Sequence, residues 1–217
     1  MTSLVIFDLD GTLLNTIADL GTATNHAMEV MGYPVHQISA YNQMVGNGVR
    51  RLIERALPDD ATVRTPENVD RALAHFKEYY NEHLCDKTRP YDGIPQLLEE
   101  LNSRGIRMAV ASNKNQEATG RLIAHFFPNI PWAAVHGQRS GIPVKPDPSI
   151  VFQILLESPT PKDQVLYCGD SGVDMQTAAR AGVRSCGVTW GFRSRAELKA
   201  NYAEIIVDTP DDILTYL

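Results

Sequence analysis

Several things are scarce in this 217-residue chain, and each scarcity removes a class of protein. There are three cysteines, Cys85, Cys168 and Cys186, widely separated and odd in number. They offer neither zinc-ligand spacing nor a disulfide framework, and a reducing compartment suits them best. The six histidines show no close pairing at metal-ligand spacing either. No apolar run approaches the ~18 residues that suggest a membrane span. The amino terminus carries no basic leader with an apolar stretch and cleavage site. The chain is therefore expected to be soluble and cytoplasmic, with no membrane partner. Positive charge is not in excess: 20 Lys and Arg stand against 26 Asp and Glu, a net charge of -6. A nucleic-acid partner held by overall charge is not expected. Internal repeats and low-complexity segments are missing too.

What is present is an ordinary globular composition, 43% hydrophobic and 21% charged, in more chain than one average domain requires. Leu4-Val5-Ile6-Phe7 is a short continuous apolar run, as expected of a strand buried on both faces, and Asp8-Leu9-Asp10-Gly11 ends it. From residue 91 onwards strands and helices alternate. Helices are predicted at Ile94–Asn102, Gln116–Phe126, Ile150–Leu156 and Val173–Ala181. Strands are predicted at Ile106–Ala111, around Ala133–Val135, at Val165–Cys168, near Val183–Ser185 and at Glu204–Val207. That alternation implies right-handed crossovers and an α/β, doubly wound parallel sheet of Rossmann-like type. Residues 15–90 break the pattern with helical periodicity only. Ile17, Leu20, Thr24, Ala27, Met28 and Met31 share one face, and further helices are expected near Ile38–Met44, Val49–Leu57 and Pro66–Leu84. We read 1–14 with 91–217 as the core and 15–90 as an inserted helical domain.

Ligands of open parallel sheets bind beyond the carboxyl ends of the strands. Four segments place polar residues there: Asp8 and Asp10; Ser112-Asn113-Lys114; Lys145-Pro146-Asp147; and Gly169-Asp170-Ser171-Gly172-Val173-Asp174. Four converging carboxylates repel unless a cation lies among them, and hard oxygen donors suit Mg2+ better than zinc. Lys145 offers a point charge, Ser112 a hydroxyl, and Asn113 with the backbone amides near Gly11 and Thr12 further donors for a phosphoryl group. In an Asp-x-Asp pair one carboxylate can attack phosphorus while the other serves the leaving alcohol and then the water. The bland readings stay beside these. Ser112 suits a helix N-cap, Asp174 suits a first helical turn, and Gly46-Asn47-Gly48 suits a plain turn.

The four segments, in this order, resemble the motifs of the haloacid dehalogenase-like phosphatases across nearly the whole chain. The resemblance implies that Asp8 is the nucleophile and Asp10 the general acid/base. It implies that Asp8, the Asp10 carbonyl and Asp170 hold Mg2+ with support from Asp174, while Ser112 and Lys145 grip the phosphoryl group. It also makes residues 15–90 a helical cap. Val45-Gly46-Asn47-Gly48-Val49-Arg50, Pro90-Tyr91-Asp92-Gly93 and Val188-Thr189-Trp190-Gly191-Phe192 resemble the phosphoglycolate phosphatase branch. The implied reaction is hydrolysis of a small anionic phosphate ester, 2-phosphoglycolate first, by a monomer or homodimer. Inorganic pyrophosphatase and sugar-phosphate phosphatase or mutase are the alternatives, and a catalytically silent interaction domain is the non-enzymatic one. Gly46, Asn47, Gly48 and Arg50 are candidates for recognising a substrate carboxylate. Asn15-Thr16 stands where the branch often has Asp-Ser, which keeps hydrogen-bonding capacity and removes one charge.

Overall fold

The computed structural model describes residues 1–217 and divides the chain into two compact units, Met1–Asn15 with Pro90–Leu217, and Thr16–Arg89. Asn15 and Pro90, the outermost residues of the expected insertion, belong to the first unit. No helix is long and apolar enough to cross a membrane.

The chain enters through β1 (Leu4–Phe7), which is buried throughout, and the two-residue strand β2 (Leu14–Asn15). The second unit then follows as α1 (Ile17–Val30), α2 (Tyr41–Met44), α3 (Val49–Ala56) and α4 (Pro66–Glu82). Its core is formed by Ala23, Ala27 and Met28 of α1, Tyr41, Leu52 and Ile53, and Val69, Ala72, Phe76 and Tyr80 of α4. The i, i+3, i+4 spacing of these residues puts them on one stripe of each helix. Asp19, buried in the first turn of α1, accepts hydrogen bonds from the Lys87 and Thr88 amides and the Thr88 hydroxyl at 2.8–3.0 Å. The start and the end of this unit are thereby joined.

The chain returns through the two-residue β3 (Arg89–Pro90) and α5 (Ile94–Ser103). Then come β4 (Arg107–Asn115), α6 (Gln116–Phe126), β5 (Trp132–Gln138), α7 (Ser149–Glu157), β6 (Val165–Gly169), α8 (Gly172–Ala181), β7 (Arg184–Val188), α9 (Arg195–Ala200) and β8 (Ile205–Val207). Six strands form one sheet in the order β5-β4-β1-β6-β7-β8, and every neighbouring pair is parallel. Alternation along the strands gives each face its own set of side chains. Leu4 and Ile6 join Ala109, Ala111, Val165 and Tyr167 beneath Ile150, Val151 and Ile154 of α7 and Ala178 and Ala181 of α8.

Two expectations need correction. The strand predicted to end at Ala111 continues to Asn115, so Ser112, Asn113 and Lys114 lie within β4 instead of after it. The ladder slips register after Ala111 and is regained at Asn115 opposite Gln138. A polar stretch with local irregularity therefore disguises a strand. The second omission is α9, a six-residue helix capped by the Ser194 hydroxyl, too short to leave a periodic signal.

Successive connections run from β1 out to β4 and β5, then back across to β6, β7 and β8. The switch of direction lies between β1 and β6, where such sheets open a crevice. Asp8 and Asp170 follow directly on these two strands.

Candidate active site

Lys145 is the centre of the polar cluster at this crevice. Its side chain is 2% exposed, and its ammonium lies 2.9 Å from Asp8 Oδ1, 2.7 Å from Asp174 Oδ1, 2.9 Å from the Ala111 carbonyl and 3.1 Å from the Tyr167 hydroxyl. Burial works against its charge, but Asp174 and Asp8 outweigh that penalty and hold its pKa well above the ordinary lysine value. The loop carrying it is fixed by Asn113, whose Oδ1 accepts from the Lys145 amide at 2.8 Å. Asn113 Nδ2 in turn donates to the Lys145 carbonyl at 3.1 Å. The Asn113 side chain, expected to donate to a phosphoryl group, thus also holds the backbone of Lys145.

Of the four carboxylates expected to converge, Asp8, Asp170 and Asp174 form one group. Ligand oxygens of Asp8, Asp170 and Asp174 all lie within 4.8 Å of one another. Burial raises the Asp8 pKa to about 7; Lys145 opposes the rise and Asp174 adds to it. Asp170 is pushed well above the usual carboxylate range, first by burial and then by Asp174 and Asp8. Asp174 is spoken for on both oxygens. Oδ2 accepts from the Ser171 amide at 3.1 Å and the Ser171 hydroxyl at 2.6 Å, closing a capping box, and Oδ1 faces Lys145. The helix-start reading of Asp174 therefore applies, and its other oxygen faces Lys145.

Glycines allow this crowding. A Cβ on Gly11, whose φ is +88°, would stand 2.4 Å from Asp170 Oδ2. One on Gly169 would stand 2.3 Å from the Asp174 Cβ. One on Gly191 would lie 2.3 Å from both the Asp170 Cβ and the Gly11 carbonyl oxygen. The same loop donates the Phe192 amide to Asp170 Oδ2 at 2.6 Å and the Trp190 indole N–H to the Thr12 carbonyl at 3.0 Å.

Asp10 pairs with a second lysine. Lys114 Nζ lies 3.0 Å from each of its carboxylate oxygens. The backbone amides of Gly11 and Thr12, expected to face a phosphoryl group, donate inside their own turn to Leu14 and Leu9. The Thr12 hydroxyl, in contrast, is buried with no hydrogen-bond partner, an orphan donor beside the cluster. Ser112, also buried, accepts from the Lys114 amide at 3.3 Å; the N-cap of α6 is Asn115, so Ser112 does not cap that helix.

In the helical unit, Gly46 and Gly48 adopt φ of +107° and +84°, which only glycine takes readily. The segment between them is braced by Arg55, which donates to Asn47 Oδ1 at 2.8 Å and to the Met44 carbonyl at 2.7 Å. Arg50, half-exposed, pairs with Asp70 and reaches Glu54 at 3.5 Å. The sequence places Lys114 at the strand end but assigns it no role, and Tyr167 and Arg55 are not foreseen. Lys114 follows two polar residues, Tyr167 looks like strand filling, and Arg55 looks like a last-turn cation.

A doubly wound parallel sheet with an acid–lysine cluster at its carboxyl edge is the architecture of a ligand-processing α/β enzyme. The chain belongs to the haloacid dehalogenase-like hydrolases, whose family pattern matches residues 5–188. It is 32% identical to a phosphoglycolate phosphatase of Pseudomonas putida, over 94% of this chain and 76% of that one. It is 30% identical to a phosphoglycolate phosphatase of Haemophilus influenzae, over 99% and 97%. A solved structure from Lactobacillus delbrueckii subsp. bulgaricus superposes with a TM-score of 0.91 at 33% identity, covering 98% of this chain and 97% of that one.

Proposed function

We propose that this chain is a Mg2+-dependent phosphatase of small phosphomonoesters, with 2-phosphoglycolate as its foremost substrate, acting through an aspartyl-phosphate on Asp8. The observation that carries the reading is the Lys145 ammonium held between Asp8 and Asp174 beside Asp170. The names of the two relatives from Pseudomonas putida and Haemophilus influenzae support the substrate. Three free thiols suit a cytoplasmic setting.

The donor set fits a hard divalent cation. Oxygens of Asp8, Asp170 and Asp174 lie within 4.8 Å of one another, and burial, with the neighbouring carboxylates adding to it, holds Asp8 and Asp170 above the usual carboxylate range, a penalty that a cation among them would offset. Asp8, Asp170 and the Asp10 carbonyl would hold the ion, and Asp174 would support the set through Lys145. When bound, Mg2+ supplies charge neutralisation for the phosphoryl oxygens.

The chain's own residues divide the remaining work. An Asp8 oxygen attacks phosphorus, the ester P–O bond breaks, and Asp10 gives its proton to the departing alkoxide. Asp10 then takes a proton from water, which attacks the aspartyl-phosphate, releases phosphate and restores Asp8. Lys145, with the hydroxyls of Thr12 and Ser112, would draw on the phosphoryl oxygens as charge builds there. Asn113 would act by positioning Lys145. The helical unit would serve as the cap, with Gly46, Asn47, Gly48 and Arg50 at the substrate's carboxylate and Arg55 shaping their loop.

Phosphate release from 2-phosphoglycolate, pyrophosphate and hexose phosphates, with and without Mg2+, tests this in wild type and Asp8→Asn. Mg2+-dependent release from 2-phosphoglycolate alone, abolished in Asp8→Asn, is expected. Turnover surviving in Asp8→Asn would overturn the covalent route, and preference for pyrophosphate would overturn the substrate.

A further inference from the structure

Lys114 is a buried cation that the reaction above leaves unused. Its Nζ lies 3.0 Å from Asp10 Oδ1 and 3.0 Å from Oδ2, and its side chain is 4% exposed against 20% for that of Asp10. An ammonium equidistant from both oxygens fixes the rotation of the carboxylate as well as its position. Only a carboxylate aimed at the leaving oxygen can transfer a proton efficiently, since small misplacements cost large factors in rate.

The lysine is itself placed with care. It stands in the irregular end of β4, where the ladder loses register between Ala111 and Asn115. Its amide donates to Ser112 Oγ at 3.3 Å, and its carbonyl accepts from Thr119 Oγ1 at 3.4 Å. Next door, Gly137 of β5 comes so close that a Cβ there would lie 2.6 Å from the Lys114 carbonyl oxygen and 2.7 Å from Thr119 Oγ1. The backbone is therefore packed from two sides while the side chain reaches to Asp10.

We infer that Lys114 is a positioning residue for Asp10, orienting the carboxylate that handles the leaving-group and water protons. The inference rests on the proposed role of Asp10. It separates Lys114 from Lys145: one cation serves the proton-transfer carboxylate, the other the nucleophile. Lys114 touches no reacting atom in this scheme, so its removal should be felt only where Asp10 is needed.

Two substrates and a double-mutant cycle test it. 2-Phosphoglycolate has a poor alkoxide leaving group that needs a proton, whereas p-nitrophenolate departs without one. Lys114→Met, which keeps much of the side-chain volume, should lower kcat/KM for 2-phosphoglycolate at least tenfold and for p-nitrophenyl phosphate by less than threefold. On an Asp10→Asn background the same change should cost less than threefold for either substrate. Lys114→Arg should recover part of the lost rate, and a crystal structure of Lys114→Met should show the Asp10 carboxylate turned from its present orientation. Equal losses on both substrates, a full additional loss in the double variant, or an unmoved Asp10 would overturn the inference. If Lys114→Met does not fold, Lys114→Gln carries the same comparison. A wild-type enzyme that turns over neither ester, or an Asp10→Asn variant as active as wild type, would instead refute the underlying reading.

Discussion

Asn113 and Lys145 exchange two hydrogen bonds across 32 residues of chain, amide oxygen to backbone N–H and amide N–H to backbone oxygen. Both residues are buried, so neither backbone group of Lys145 has water as a ready substitute. Asn113→Ala should leave both unsatisfied, at about 1–3 kcal/mol each. For a chain of this size that corresponds to a fall in Tm of roughly 4–24 °C. Turnover should fall as well, because the ammonium is carried on the loosened loop. Calorimetry and phosphate-release assays on one preparation check both. An unchanged Tm would mean that the pair does not hold the loop.

Gly191 is a second position where a single methyl group decides the outcome. Its missing side chain would overlap Asp170 and the Gly11 carbonyl at 2.3 Å, and both are fixed by their surroundings. Gly191→Ala should therefore displace Asp170 and weaken Mg2+ binding at least tenfold by calorimetric titration. Gly120, in the middle of α6, meets nothing within 4 Å, and Gly120→Ala should be harmless or stabilise by about 0.5–1 kcal/mol. Equal tolerance at the two positions would refute the steric argument.

The contrast between Asp8 and Lys114 shows what the sequence makes legible. Asp8 ends Leu4-Val5-Ile6-Phe7, and Asp170 follows Val165-Leu166-Tyr167-Cys168-Gly169; in both, a continuous apolar strand announces its own carboxyl end. The sheet and the placing of the carboxylates follow from that signal. Lys114 sits in Ser112-Asn113-Lys114-Asn115, a strand segment of polar residues whose side chains meet the Lys114 amide, the Lys145 loop, Asp10 and the start of α6. Period-two reading depends on apolar side chains, so it registers this stretch as the end of a strand. Tyr167 fails for the opposite reason. Its ring belongs to the core beside Ala111 and Val165, and sequence pattern reports the ring but not the hydroxyl directed at Lys145.

His136, in β5, provides a pH dependence of stability. Its ring is mostly buried, accepts from Arg139 at Nδ1 over 2.7 Å and lies 3.0 Å from Glu157 at Nε2; Gln153 binds the same arginine. Burial and then the Arg139 charge lower its pKa, and Glu157 only partly opposes them. The folded chain thus holds this proton less tightly than the unfolded chain does. Its contribution is full above the ordinary histidine pKa of about 6.5 and is lost as pH falls from there through the folded value. Urea unfolding between pH 8 and pH 5 should show wild type losing more stability than His136→Gln over that interval. Parallel curves would mean that His136 does not contribute.

Asp19 sets the fate of the helical unit in the same concrete way. Its buried carboxylate receives three donors from Lys87 and Thr88, closing residues 16–89 at their two ends. Its charge also lies in the first turn of α1, where the helix dipole favours an anion. Asp19→Ala removes the acceptor and leaves the Thr88 amide and hydroxyl buried without it, at a cost of about 3 kcal/mol. Asp19→Asn keeps one acceptor but turns N–H groups towards donors, so it should fall between wild type and Asp19→Ala. Hydrogen exchange should locate the damage. In Asp19→Ala the amides of Lys87, Thr88 and the first turns of α1 should exchange faster, while those of β1 and β6 keep their protection because their ladders belong to the other unit. Acceleration spread evenly over both units would show that they unfold as one, and unchanged exchange at Lys87 and Thr88 would remove the closing role of Asp19.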